Sequence, residues 1–182
     1  MNGPGGGEAR GVGLALCDLD GVVWLGGDAL PGAAAGVHRL RQGGYRVVFV
    51  TNNSSLTNAE ILARLDRAGI VAAPDEVLSS AIAAARLIRS EPAAGARVLA
   101  CAGAGVLEAL AGEGLEAVEE GPCQAVIVGW HRTFDFERLD RAAAAVRAGA
   151  RFVATNLDPT FPAPGRLLPG NGALVAAVAT AA

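Results

Sequence analysis

The stretch Leu14-Ala15-Leu16-Cys17-Asp18-Leu19-Asp20-Gly21 brings two carboxylates to the tip of an apolar segment that ends on a glycine. Side chains alternate along a strand, so Asp18 and Asp20 point one way and Leu19 the other. Like charges held that close are costly unless a cation or phosphoryl chemistry uses them. In such chemistry Asp18 attacks phosphorus and forms an acyl-phosphate, while Asp20 protonates the leaving alcohol and then deprotonates the hydrolytic water. An anion approaching an anion calls for magnesium, held by Asp18 and a backbone carbonyl. Gly21 permits a sharp turn, so that neighbouring N–H groups can cradle phosphoryl oxygens. A calcium loop would need ligands continuing as D-x-D-x-D-G between two helices, and here an apolar strand precedes Asp18. The structural alternative is a pair of strand-end aspartates capping loop amides.

A second polar cluster, Thr51-Asn52-Asn53-Ser54-Ser55, ends the β-rich run Tyr45 to Val50. Its hydroxyl and amides suit an anion, and taken alone it also reads as an Asx-rich turn into a helix. Lying one crossover from the aspartate pair, Thr51, Asn52 and Asn53 are better read as a phosphate cradle.

The elements that must position these clusters follow from periodicity. Val12 to Asp18 reads as a fully buried strand, Gly21 to Asp28 as a short hairpin, and Pro31 to Gln42 as a helix stopped by Gly43-Gly44. Thr57 with Glu60 forms a capping box for a helix to about Ala68, and Val77 to Ser80 is a third strand. Strands alternating with helices imply a parallel sheet with ligands at its carboxyl ends. The second half repeats the rhythm: helix Ala81 to Arg89, strand Arg97 to Cys101, helix Gly105 to Gly112, strand Ala125 to Val128, helix Phe136 to Ala148 and strand Arg151 to Thr155. A Pro/Gly-rich loop from Asp158 to Gly172 and a last helix follow, and Glu91-Pro92 is a turn. Met1 to Gly11, rich in Gly and aperiodic, reads as a disordered tail. The expected division is residues 12–81 and 82–182.

The 182 residues are 52% hydrophobic, with a net charge of −3, which gives a packed core and no basic field for nucleic acid. Cys17, Cys101 and Cys123 form no CxxC or His/Cys cluster, so neither a disulfide framework nor zinc is indicated, and a reducing cytoplasmic setting fits. Leu14 to Cys17 lacks the apolar run and small residue of a lipoprotein cleavage box. No stretch approaches the ~20 apolar residues of a membrane span.

The segments CDLDGVVW, FVTNNSS, VGWHRTFDFERL, FVATNLDPTFP and LLPGNGAL, in that order from about Leu14 to the C-terminus, resemble the class IIA branch of the haloacid dehalogenase (HAD) superfamily. The likeness is to phosphatases of the phosphoglycolate, pyridoxal phosphate and glycerol 3-phosphate kind. It implies an α/β fold, a HAD-like Rossmannoid parallel sheet carrying an α/β cap. It also implies Asp18 as nucleophile, Asp20 as acid/base, Mg2+ on Asp18 and the Asp20 carbonyl, and Thr51, Asn52 and Asn53 on phosphate. Asn156, Asp158 and Phe161 fall in the cap loop expected to face the substrate, where an apolar Phe161 disfavours a charged or heteroaromatic leaving group. The implied substrate is a small phosphorylated metabolite, a sugar or glycerol phosphate, and caps of this kind often mediate homodimers. Trp24, in the hairpin beside the nucleophile, reads equally as a substrate contact or as core. His131 reads as a surface loop residue.

Two family elements have no counterpart: a lysine in a Gly-Lys-Pro context and an acidic Gly-Asp-x-x-x-Thr-Asp run. All 15 basic residues are arginine. The core sheet is therefore expected to be incomplete, with the first strand an exposed edge, and the chain as written is expected to be a C-terminally truncated, inactive fragment with little or no turnover, of an active full-length phosphatase. The alternative function is a non-catalytic protein that keeps the fold to bind a ligand or partner.

Overall fold

A computed structural model describes residues 13–90, 96–163 and 165–182. The expected tail, Met1 to Gly11, and the Glu91-Pro92 turn lie outside the described residues.

Strand β1 (Gly13–Asp18) leads into a two-stranded antiparallel ribbon, β2 (Trp24–Leu25) and β3 (Asp28–Ala29). Helix α1 (Ala33–Gln42), strand β4 (Tyr45–Thr51), helix α2 (Asn58–Arg67) and strand β5 (Val77–Ser79) follow. Pro31 lies outside α1, because Gly32 before the helix takes a left-handed conformation (φ 85°) that sets the entry turn. At α2 the capping box forms: Thr57 Oγ1 accepts from the Glu60 N–H (3.2 Å) and Glu60 accepts from the Thr57 N–H (2.8 Å). The strands form a parallel sheet in the order β1-β4-β5, with Asp18 opposite Val50 and Thr51 opposite Ser79.

One face of this sheet carries a core of Val47, Phe49 and Val77 packed with Val37, Ile61 and Leu65 of the two helices. The other face is open, which corrects the expectation that β1 is fully buried. Burial alternates along the strand, leaving Leu14 and Leu16 61% and 66% exposed. An unbroken apolar run reads as buried on both sides, but α1 and α2 cover only one.

A second sheet begins at helix α3 (Ser80–Arg89), one residue earlier than expected, since Ser79 caps it through the Ile82 N–H (3.3 Å). Then come β6 (Arg97–Cys101), α4 (Ala104–Gly112), β7 (Glu116–Val118), β8 (Ala125–Val128), α5 (Phe136–Arg147) and β9 (Arg151–Ala154). Strands β10 (Thr160–Ala163) and β11 (Arg166–Pro169) precede α6 (Asn171–Ala181). The sheet order is β7-β6-β8-β9, all parallel. Every residue of β8 is buried. Ala85, Ile88, Val106 and Leu110 of α3 and α4 pack on one face of this sheet, and Ala142, Val175 and Val178 of α5 and α6 on the other.

Two elements were not anticipated. Strand β7 has only three residues and owes its conformation to its register with β6, Arg97 opposite Glu116. The segment from Asp158 to Gly172, expected to be loop, contains the antiparallel pair β10 and β11. Its prolines are tolerated because a two-stranded ribbon has edges only. Among the described residues no helix is long and apolar enough to cross a membrane.

Candidate active site

Both polar clusters stand at carboxyl ends of paired strands, Asp18 closing β1 and Thr51 closing β4. Leu19 is 1% exposed, while Asp18 and Asp20 on either side of it are exposed, as alternation requires. The Leu19 N–H donates to Asp18 Oδ1 (2.8 Å), which leaves Oδ2 available. Asp20 is held from two elements: the Trp24 indole N–H donates to Oδ1 (3.0 Å) and the Thr51 hydroxyl lies 3.4 Å from Oδ2. Trp24 is 3% exposed and part of the core, so it serves Asp20 from behind instead of lying against a substrate.

The turn after Asp20 departs from expectation in one respect. Gly21 has the anticipated left-handed φ (85°), but its N–H donates to the Trp24 carbonyl (2.7 Å), and those of Val23 and Trp24 donate to the Leu19 carbonyl. These N–H groups close the turn and do not form an open phosphate cradle. Cys17, beside Asp18, has its thiol pKa raised by burial and then by the Asp18 charge, so it contributes no thiolate.

The loop after β4 divides its work. Thr51 Oγ1 accepts from the Asn53 N–H (3.1 Å), and Asn53 Oδ1 accepts from the Ser55 N–H (3.0 Å) and hydroxyl (2.7 Å). Asn53 thus spends its carbonyl oxygen on an Asx turn, which leaves its amide N–H groups as the donors it could offer an anion. Asn52 is exposed, and its amide donates to Asp158 Oδ2 (2.5 Å).

The carboxyl end of the second sheet sits directly on this loop. The Gly105 N–H donates to the Ser55 carbonyl (3.2 Å), and the Asn156 amide and Ser80 hydroxyl both donate to the Asn52 carbonyl (2.9 and 2.7 Å). Asn156 and Asp158 are therefore both attached to Asn52. Phe161 lies on β10, edge-on to Trp130 with ring centroids 5.1 Å apart. His131 is buried, not a surface residue: Nδ1 lies 2.8 Å from the Gly129 carbonyl, and burial lowers its pKa. Sequence reasoning passed over three polar residues: Ser80 and Thr155, which bind the loop after β4 at Asn52 and Ser54, and Asn171, which holds Thr155 and Asn156 within the second half. The available signal was the pair of glycines flanking Asn171, since a polar residue between glycines at a helix start marks a close backbone approach.

The oxygens of Asp18 and of the backbone at Asp20 are hard donors of the kind magnesium takes. Among the described residues no group of three or more His, Cys, Asp or Glu side chains gathers to hold a metal.

A parallel α/β sheet with an aspartate pair at one strand end and a Thr-Asn loop at the next defines a class, and the chain belongs to it: the haloacid dehalogenase-like hydrolases, whose family model matches residues 15–116. Within that family it is 41% identical over 169 residues to the D-glycerol 3-phosphate phosphatase of Mycobacterium tuberculosis, covering 91% of this chain and 47% of that protein. It is 37% identical over 163 residues to the acid sugar phosphatase of Staphylococcus saprophyticus, covering 90% and 62%. Among solved structures, the glycerol phosphate phosphatase of M. tuberculosis in complex with magnesium superimposes with a TM-score of 0.85 at 40% identity, over 93% of this chain and 51% of that one. The p-nitrophenyl phosphatase of Archaeoglobus fulgidus gives 0.84 at 34% identity, over 92% and 63%. The chain thus spans about half the length of the mycobacterial relative and under two thirds of the staphylococcal one.

Proposed function

We propose that this chain carries the aspartate pair and phosphate-gripping loop of a magnesium-dependent phosphomonoesterase that acts on a small phosphorylated metabolite, a glycerol or sugar phosphate. The observation that carries the proposal is the meeting of Asp20 and Thr51 at 3.4 Å, one strand away from the free oxygen of Asp18. The relatives named for glycerol 3-phosphate and acid sugars support the substrate class. Residues 12–81 are proposed as the catalytic core portion and 82–182 as the cap.

Asp18 Oδ2 attacks phosphorus as the bond from phosphorus to the alcohol oxygen breaks, and protonated Asp20 gives that oxygen its proton. Asp20 then takes a proton from water, whose oxygen attacks the aspartyl-phosphate and releases inorganic phosphate and the Asp18 carboxylate. The Trp24 N–H keeps Asp20 turned the same way in both steps. The Asp18 carboxylate and the Asp20 carbonyl would hold magnesium, which would supply positive charge to the phosphoryl oxygens when bound. Thr51 and the Asn52 amide supply hydrogen bonds to the same oxygens. Little or no turnover is proposed for the 182-residue chain, because it has no lysine to offset the remaining negative charge.

The test pairs calorimetric binding of inorganic phosphate with release of p-nitrophenol from its phosphate ester, each with and without magnesium. Magnesium-dependent phosphate binding that is lost in Asp18→Asn is expected. Its absence overturns the phosphatase reading. Rapid turnover abolished by Asp18→Asn overturns the lack of turnover alone, and phosphate binding that depends on neither magnesium nor Asp18 favours a ligand-binding protein.

A further inference from the structure

The segment Gly170-Asn171-Gly172 has no part in the chemistry above, yet its environment is the most constrained in the second sheet. Asn171, the first residue of α6, is 1% exposed. Its amide nitrogen lies 3.1 Å from the Val128 carbonyl, 3.3 Å from Thr155 Oγ1 and 2.9 Å from the Asn156 carbonyl. Two amide hydrogens are shared among three acceptors, while the buried Oδ1 has no partner among the described residues. The orientation of the side chain is thus set entirely by what it donates to.

The flanking glycines press the helix start onto the loop after β9. The Gly170 N–H donates to the Pro159 carbonyl (2.8 Å) and the Gly172 N–H to the Asp158 carbonyl (2.9 Å). A Cβ on Gly170 would stand 2.2 Å from the Asp158 carbonyl oxygen, and one on Gly172 would stand 2.3 Å from that of Leu157. Both obstacles are backbone, so only glycine admits this contact. The segment is a socket in which Thr155 to Pro159 is seated.

Two routes leave that socket for the loop after β4. Thr155 donates to Ser54 Oγ (2.9 Å) inside the buried contact. Asn156 reaches the Asn52 carbonyl (2.9 Å), and its Oδ1 accepts from the Asp158 N–H (3.2 Å), which sets the Asp158 carboxylate on the Asn52 amide.

We propose that Asn171 is a positioning residue for the phosphate-gripping loop: from the second sheet it fixes Asn156 and Asp158 so that they clamp Asn52 in place. This rests on the proposed role of Asn52 in holding phosphate. It also gives Asn156 and Asp158 a task distinct from contact with a leaving group. Inorganic phosphate has no leaving group, so it isolates that task.

The experiment measures the dissociation constant of inorganic phosphate, with magnesium, for the full chain and for Asn171→Ala, Asn156→Ala and the double variant, alongside thermal midpoints. Each single variant is expected to weaken phosphate binding about tenfold, the scale of one hydrogen bond. The double variant is expected to be no worse than the weaker single, because both act along one route. A purely structural Asn171 would lower the midpoint and leave affinity unchanged, which overturns the proposal, as do independent losses that multiply in the double variant. If Asn171→Ala does not fold, Asn156→Ala decides alone: unchanged affinity overturns the clamp. Failure of the unmutated chain to bind phosphate overturns the proposed function and this inference together, whereas binding that ignores both substitutions overturns only the inference.

Discussion

Asp20 and Asp18 are held differently, and the difference matches their proposed tasks. Asp20 is fixed by an indole rooted in the core and by a threonine from the next strand, whereas Asp18 has a single backbone N–H on one oxygen. An acid that must later act as base benefits from a fixed direction, while a nucleophile must be free to close on phosphorus. The setting of His131 predicts a pH dependence of stability. Burial, the larger cause, pushes its pKa below the ordinary 6.5, and the bond to the Gly129 carbonyl opposes this; Arg138 lowers it and Asp135 raises it. The unfolded chain therefore takes up the proton first as pH falls. The stabilisation from neutral His131 is complete above about pH 6.5 and is lost as pH drops toward the lower folded value. Thermal melts at about pH 7.5 and about pH 5.5 should show a larger acid-induced loss in the natural chain than in His131→Gln. Equal losses would assign the effect to carboxylates instead.

At the scale of elements, helix α4 shows how tightly the two sheets meet. Gly105 stands in its first turn, where a Cβ would lie 2.2 Å from the Leu56 carbonyl oxygen, while Gly112 closes the same helix with open space around it. Gly105→Ala should destabilise the fold by about 1–3 kcal/mol through overpacking against backbone. Gly112→Ala should stabilise it by up to about 1 kcal/mol from helix propensity. Urea denaturation of the pair gives the comparison, and a matching sign for both variants would show that the contact yields. The same distinction separates what the sequence disclosed from what it hid. The capping box of Thr57 and Glu60 and the abrupt strand end at Thr51 are local chemistry and could be read directly. Strand β7 could not, because its two glutamate-flanked apolar residues become a strand only against β6. Nor could the attachment of Asp158 to Asn52, which spans 106 positions of sequence and depends on how one sheet seats on the other.

For the molecule as a whole, the open face of the first sheet is the feature with the largest consequence. Leu14 and Leu16 share that face with Val48, the register neighbour of Leu16, and with Val50, which is opposite Asp18 on one side and Leu78 of β5 on the other. Among the described residues β1 pairs only with β4, so its outer edge also presents unpaired backbone groups. An apolar face joined to an open edge is the arrangement through which sheets associate, and natural proteins interrupt it with charge. The charges in this register stand at its two ends, Arg46 opposite Leu14 and Asp18 opposite Val50, and leave the pair Leu16 and Val48 between them uninterrupted. The chain should therefore self-associate as its concentration rises. Leu14→Lys should reverse this, since it adds a charge beside Arg46 while leaving Asp18 and the turn after it untouched. Sedimentation velocity over a concentration series reads the outcome directly. A natural chain that stays monomeric throughout, or a Leu14→Lys variant that associates equally, would show that neither this face nor this edge drives assembly.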